Sequence, residues 1–174
     1  MGRARLAIGF SSQYHLPQGR THLGGTRGPL HSYLLMREWS QHFSEPERLE
    51  ILLHELGHIF GAVHSPEQDS VMRPVLGDRL SRAAKFRIGF DPVNTLAMCL
   101  VSEQLAERPG TRLADLSPDC RLRLAAIYGE LAKALPDDPA AGQYLKLLEQ
   151  TGFGMHLRVR NLQGGTPQAT TGSQ

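Results

Sequence analysis

The chain has little of several things that would define its class. Two cysteines among 174 residues cannot build a disulfide scaffold. A net charge of +2 is too small for a dedicated nucleic-acid binder, so we expect no nucleic-acid partner. No apolar run approaches the ~18 residues of a membrane-spanning helix, so we expect no membrane span. The chain is otherwise 40% hydrophobic and 21% charged, which is typical of a globular protein with a buried core.

The N-terminal part alternates between apolar runs and turn-forming residues. The apolar run within residues 3–11 is too short for a signal peptide and predicts a central strand. Glycines and prolines predict a loop over residues 12–29, and residues 30–39 predict a second strand. The sequence shows no export signal and leaves the compartment open.

The clearest helix start in the chain is at Ser44, with Glu47 placed to complete a capping box. The helix is expected to end near Gly61. Its apolar residues are predicted to form a buried stripe opposite the histidines: Leu49, Leu52, Leu53, Leu56, Ile59 and Phe60. Further helices are predicted over residues 92–108, from Ser117 onward, and from Asp138 to Gly152.

The capped helix carries the pattern H-E-x-x-H in His54, Glu55 and His58. The two histidines lie ~40° apart on one helix face, so both imidazoles can reach one ion, and Glu55 sits beside them. This short pattern also occurs by chance on ordinary helices. His64, which follows His58 by six residues beyond Gly61, makes chance a poor explanation. Three imidazoles and a water would form a catalytic zinc site with one open position.

The string from His54 to His64 resembles that of the metzincin zinc endopeptidases. Met72 stands where that group has a methionine in a tight turn beneath the metal, although an ordinary core methionine is the alternative. Ser65, directly after the third histidine, and Pro74, two residues after Met72, are similar to the matrixins in particular. Pro74 occupies the place of a tyrosine metal ligand in related groups, so no such ligand is expected.

This resemblance implies an α+β fold with a zincin-like catalytic core: a small mixed sheet, an active-site helix, a Met-turn and a C-terminal helix, followed by a helical hairpin. It implies a zinc-dependent endopeptidase that hydrolyses peptide bonds with a metal-activated water and Glu55 as general base. His54, His58 and His64 would bind one catalytic Zn²⁺. The edge strand after Gly28 would hold a peptide or protein substrate, unless it is a plain edge strand without a ligand. The implied substrate-binding residues are His31, Tyr33, Leu35 and Pro74.

Matrixins also hold a second, structural zinc, for which His15, His31 and His42 are the candidate ligands in this sequence. Pro17 stands where that pattern needs an aspartate, so we expect no second zinc. The resemblance implies further strands and a helix ahead of the first strand, so we expect the matrixin-like core of this sequence to be incomplete at its N-terminal side. The expected division is therefore an N-terminally incomplete core over residues 1–108, a helical extension over 109–152 that packs on it, and a tail over 153–174 that is disordered from about residue 164.

The missing strands motivate a second hypothesis from a different class. The chain would then be a catalytically silent zinc-binding remnant whose C-terminal helices contact a protein partner. Cys99 and Cys120 could pair in an exported protein, but the apolar surroundings of Cys99 favour a buried free thiol.

Overall fold

The computed structural model describes residues 6–12, 24–26, 30, 33–37, 43–109 and 111–150. Within them the chain forms an α+β fold with one small sheet and four α-helices. In chain order the elements are β1 (Ala7–Ser11), β2 (Gly24–Gly25), β3 (Tyr33–Arg37), α1 (Glu45–Ile59), a 3₁₀ turn (Leu80–Arg82), α2 (Pro92–Glu107), a second 3₁₀ turn (Leu113–Asp115), α3 (Pro118–Ala134) and α4 (Pro139–Leu148). The predicted fold class is confirmed. The predicted end of the last helix at Gly152 lies outside the described residues.

The sheet is mixed, and its strand order is β1-β3-β2. β1 pairs parallel to β3 with Ala7 opposite Tyr33, and β2 pairs antiparallel to β3 with Gly24 opposite Met36. Two expectations were wrong. The first strand is not central, because β1 forms an edge of the described sheet and its apolar residues are largely exposed. The second strand is not the edge strand either, because β2 pairs on its other side.

The start of α1 follows the predicted pattern. The Glu47 carboxylate accepts hydrogen bonds from the backbone N–H and the hydroxyl of Ser44, both at 2.8 Å. This contact satisfies a donor that would otherwise lack a partner at the first helical turn. The helix ends at Ile59, two residues before Gly61, which has a φ of +90°. The expected position of the helix is therefore confirmed.

The buried face of α1 differs from the predicted leucine stripe. Leu49 is 48% exposed, and Leu52, Leu53, Leu56 and Phe60 are only partly buried. The most buried side of the helix carries polar residues instead: Glu47, Glu50, His54, Glu55 and His58. The reason is that the loop after the helix packs against the side that carries His54 and Glu50, whereas the described sheet covers the leucine side only in part. Of the predicted stripe only Ile59 is buried, so amphipathic periodicity located the buried face of α1 only in part.

Helices α2, α3 and α4 pack around one apolar cluster that also includes Val63, directly before the third histidine. Tyr128 of α3 donates its hydroxyl to the Gly61 carbonyl oxygen at 2.8 Å and is fully buried. The two C-terminal helices therefore pack on the chain that follows α1. None of the helices among the described residues is both long and apolar enough to cross a membrane.

The two cysteines do not pair. Cys120 is buried in the helical cluster, whereas Cys99 is exposed on α2. The expectation of a buried Cys99 was wrong because the apolar residues around it alternate between the two sides of α2. Ala97 and Leu100 face the core, and Leu96 is 53% exposed.

Gly61→Ala should destabilise the protein by about 1–3 kcal/mol, because an alanine at positive φ is strained. Its Cβ would also lie 2.9 Å from Val101 Cγ2 and 3.2 Å from the Tyr128 hydroxyl. Urea denaturation measures the loss. Gly129→Ala is the matched control: it lies inside α3 with no atom within 4 Å of an added Cβ, and should stabilise by about 0.5–1 kcal/mol. Equal effects of the two substitutions would contradict the role assigned to Gly61.

Candidate metal centre

The structure brings the three predicted histidines together. The centroids of their rings lie 4.7 to 5.2 Å apart, although His64 comes from the loop beyond α1. In each ring the Nδ1 atom contacts an oxygen. The partners are the Val71 carbonyl at 2.8 Å for His54, the Ala62 carbonyl at 2.9 Å for His58 and the Asp138 carboxylate at 2.7 Å for His64. Because a carbonyl or carboxylate oxygen only accepts, each Nδ1 carries the proton.

These three contacts leave Nε2 as the nitrogen of each ring that can bind a metal ion. A neutral imidazole protonated at Nδ1 presents a lone pair at Nε2. The Nε2 atoms of His54 and His58 lie 3.1 Å apart, so two lone pairs face each other. That arrangement is repulsive unless a cation lies between them. Two ligands held about 2.0–2.1 Å from a tetrahedral ion are about 3.3 Å apart, close to the observed separation.

The donor set therefore fits a zinc ion. One nitrogen from each of His54, His58 and His64 lies within 4.8 Å of the other two. Burial supports binding as well: it lowers the pKa of His54 well below its usual value and lowers that of His58 to about 4. Both rings are then neutral at physiological pH, which is the form that coordinates a metal.

Glu55 lies beside the histidines and under strand β2. Burial raises the pKa of its carboxyl to about 7, and the side chain is only 7% exposed. A Cβ placed on Gly24 would come within 2.7 Å of Glu55 Cγ and 2.9 Å of its Oε1. The strand can pass this close because Gly24 has no side chain. Gly24 was predicted only as part of a loop, and its role depends on this contact.

The loop after the third histidine contacts the ring of His54 and the backbone next to His64. Met72 is fully buried, and its carbonyl accepts a hydrogen bond from the Ser65 N–H at 2.9 Å. The neighbouring Val71 carbonyl orients His54. The loop thus links the ring of His54 to the chain next to His64.

Arg73 anchors this loop to α1 and is 1% exposed. Its guanidinium donates to Glu50 at 2.7 Å and to both carboxylate oxygens of Asp78, at 2.9 and 3.0 Å. It also lies over the ring of Phe86, 5.3 Å from the centroid. Periodicity gives no signal for such a network, because its members come from a helix and from three separate points of the chain after it.

All three C-terminal helices contact the segment that carries His64. Asn94 of α2 accepts from the Val63 N–H and donates to the Val63 carbonyl, both at 2.9 Å. Tyr128 of α3 donates to Gly61, and Asp138 at the start of α4 contacts His64 itself. The helix patterns were recognised from the sequence, but these contacts to the site were not.

The three histidines and Glu55 open into a cleft of about 690 Å³. Its further lining comes from β2 and the following residue, the loop after Met72, and α4: Gly24, Gly25, Thr26, Pro74, Val75, Leu76, Asp138, Pro139, Ala140, Gln143 and Tyr144. The volume lies within the range of ligand-binding clefts. The wall formed by α4 was not predicted.

The predicted substrate-binding residues fall in different places. Pro74 lines the cleft together with its neighbours Val75 and Leu76. Tyr33 and Leu35 lie on the middle strand of the sheet and do not line the cleft. His31 lies outside the described residues, as do His15 and His42 of the second zinc site that we do not expect.

The model of the matrixin family matches residues 4–97, more than half of the chain. This protein belongs to the matrixin family. The match includes the three histidines, Glu55 and Met72, and it ends within α2, so α3 and α4 lie beyond it. At the level of the family it indicates a metallopeptidase that binds zinc. Neither a curated protein nor a solved structure significantly matches this matrixin.

Arg73→Met should cost about 3–5 kcal/mol, because it leaves Glu50 buried without its charged partner. Arg123→Ala is the control, since its exposed ion pair with Asp119 should contribute less than about 1 kcal/mol. Chemical denaturation measures both. The absence of a difference between the two variants would contradict this interpretation.

Arg73 also holds the pKa of Asp78 below its usual value. The wild-type free energy of unfolding should therefore fall as the pH drops below about 4, because Asp78 then takes up a proton and loses its ion pair.

The purified protein should bind about one zinc ion per chain, and His58→Ala should lose most of this binding because it removes one of three ligands. Competition with a chromophoric chelator measures the affinity, and metal analysis gives the stoichiometry. Gln143→Ala is the matched control, because Gln143 lines the same cleft without contributing a metal-ligating nitrogen to the cluster. Equal affinity in His58→Ala and wild type would rule out the histidine site.

Proposed function

We propose that this matrixin is a zinc-dependent endopeptidase, with His54, His58 and His64 as the metal ligands and Glu55 as the general base. The observation that carries the proposal is the placement of a buried carboxyl beside three converging imidazole lone pairs, at the base of an open cleft. A metal site that only stabilised the fold would be closed by a fourth protein ligand. No fourth histidine, cysteine or carboxylate joins the cluster among the described residues.

Zinc, when bound here, supplies a Lewis acid that lowers the pKa of a water molecule and polarises a peptide carbonyl. Glu55 accepts the proton of that water as its oxygen bonds to the carbonyl carbon. It then delivers the proton to the amine as the C–N bond breaks. The Glu55 carboxyl is placed for both transfers, because it lines the cleft beside the three histidines.

We propose that an extended peptide substrate lies along β2. This strand is the last in the described sheet on the side of the cleft, and Gly24, Gly25 and Thr26 line the cleft. The backbone groups on the outer edge of such a strand can pair with a peptide, which orients the scissile bond. Tyr144 and Gln143 of α4 form part of the opposite wall. The substrate is therefore expected to contact the helical extension as well as the sheet.

Glu55→Gln should retain zinc and reduce cleavage of a peptide library by at least ~100-fold, because it keeps the shape of the side chain and removes the base. Mass spectrometry of the products measures cleavage, and a chelator should abolish it in the wild type. Lys133→Ala is the control, because Lys133 is exposed on α3 and does not line the cleft; this variant should keep the wild-type activity. If the wild-type protein binds zinc and cleaves no peptide, the hypothesis of a silent zinc-binding protein is supported instead.

A further inference from the structure

The third histidine is oriented differently from the other two. The rings of His54 and His58 donate to backbone carbonyls of the same region of the chain, Val71 and Ala62. The ring of His64 donates to a side chain, the Asp138 carboxylate, which lies 74 residues further along. This carboxylate belongs to the segment between α3 and α4, beyond the part of the chain that matches the matrixin family.

We propose that Asp138 is a positioning residue of the metal centre. The α3–α4 hairpin would then contribute to metal binding by orienting His64. This proposal rests on the metal site of the proposed function. The Asp138 carboxylate holds the proton of His64 on Nδ1, so that Nε2 presents its lone pair toward His54 and His58. Such carboxylate–histidine pairs orient metal ligands in other proteins and strengthen their binding.

Asp138 is itself held in place by two contacts. Its Oδ2 accepts from His64 at 2.7 Å, while its Oδ1 accepts from the Ala140 N–H at 2.9 Å and caps α4. Both side chains of the pair are largely shielded, with 21% of His64 and 18% of Asp138 exposed. A charged hydrogen bond of this length in a shielded place is stronger than an exposed ion pair.

Packing of the α3–α4 hairpin holds the Asp138 carboxylate beside His64. Tyr128 of α3 and Tyr144 of α4 pack edge to face with centroids 5.7 Å apart, and both belong to the apolar cluster that contains Val63. Tyr144 also lies against His58, with centroids 6.2 Å apart. The start of α4 is therefore tied to the same core as the segment of His64, so the position of Asp138 follows from the packing.

The two contacts of Asp138 can be separated by substitution. Asp138→Ser keeps a good N-cap residue for α4, but its side chain is too short to reach His64. Ser117→Ala is the matched control: Ser117 caps α3 in the same hairpin through the Cys120 N–H at 3.2 Å and does not line the metal cleft. We expect Asp138→Ser to weaken zinc binding by about 10–100-fold and to lower the urea midpoint, because its hydrogen bond to His64 is lost. Ser117→Ala should also lower the urea midpoint, because α3 loses its cap, but it should leave zinc affinity unchanged.

Zinc affinity is measured by chelator competition on the full chain, and stability by urea denaturation without metal. The absorption spectrum of bound Co²⁺ supplies a second readout, because a misoriented ligand changes the intensity of its bands. If Asp138→Ser folds poorly, Asp138→Asn preserves the shape and is expected to weaken zinc binding as well. Wild-type zinc affinity in the Asp138 variants, or an equal loss in Ser117→Ala, would falsify the proposal.

The same measurements separate this proposal from the proposed function. Wild-type protein that binds no zinc would overturn both. Zinc binding that depends on His58 and is indifferent to Asp138 would overturn only the role of Asp138. Zinc binding that depends on both residues, without peptide cleavage, would support Asp138 as a positioning residue and overturn the endopeptidase.

Discussion

The convergence of three imidazole lone pairs on one point is the constraint on which the rest of this structure depends. Three neutral rings with facing Nε2 atoms repel one another, and each must be held by a hydrogen bond to its Nδ1. The acceptors come from three places: the loop after His64, the turn at the end of α1, and the start of α4. Much of the packing serves to hold these acceptors in place.

That demand also explains the unusual burial of α1. The face that carries the histidines is polar, and ordinary amphipathic packing would leave it in water. Here it is the covered face, because the loop that supplies the Val71 carbonyl must lie against it. Arg73 then neutralises Glu50 where the loop meets the helix, since a buried carboxylate needs a charged partner. The leucines, which periodicity assigns to the core, are left only partly covered.

The C-terminal helices acquire a different meaning from the one suggested by their sequence. As isolated amphipathic patterns they resemble a module for binding another protein, and that role stays a prediction. In the structure they surround the segment from Gly61 to His64, with Asn94 and Tyr128 holding its backbone. Helix α4 forms one wall of the cleft. A substrate bound there would contact residues that lie outside the region shared with other matrixins.

The sequence by itself determined the fold class, the start of α1, and the three histidines and neighbouring carboxyl that the structure brings together; their roles as metal ligands and general base stay predictions. These features are local, because the spacing of residues on one helix and a turn at its end decide them. Only the tertiary structure decided which strand forms the edge beside the cleft, which face of α1 is buried, and that Asp138 contacts His64. Each of these depends on two segments far apart in the chain meeting in space. The periodicity of residues within one segment does not predict which distant segment it will contact.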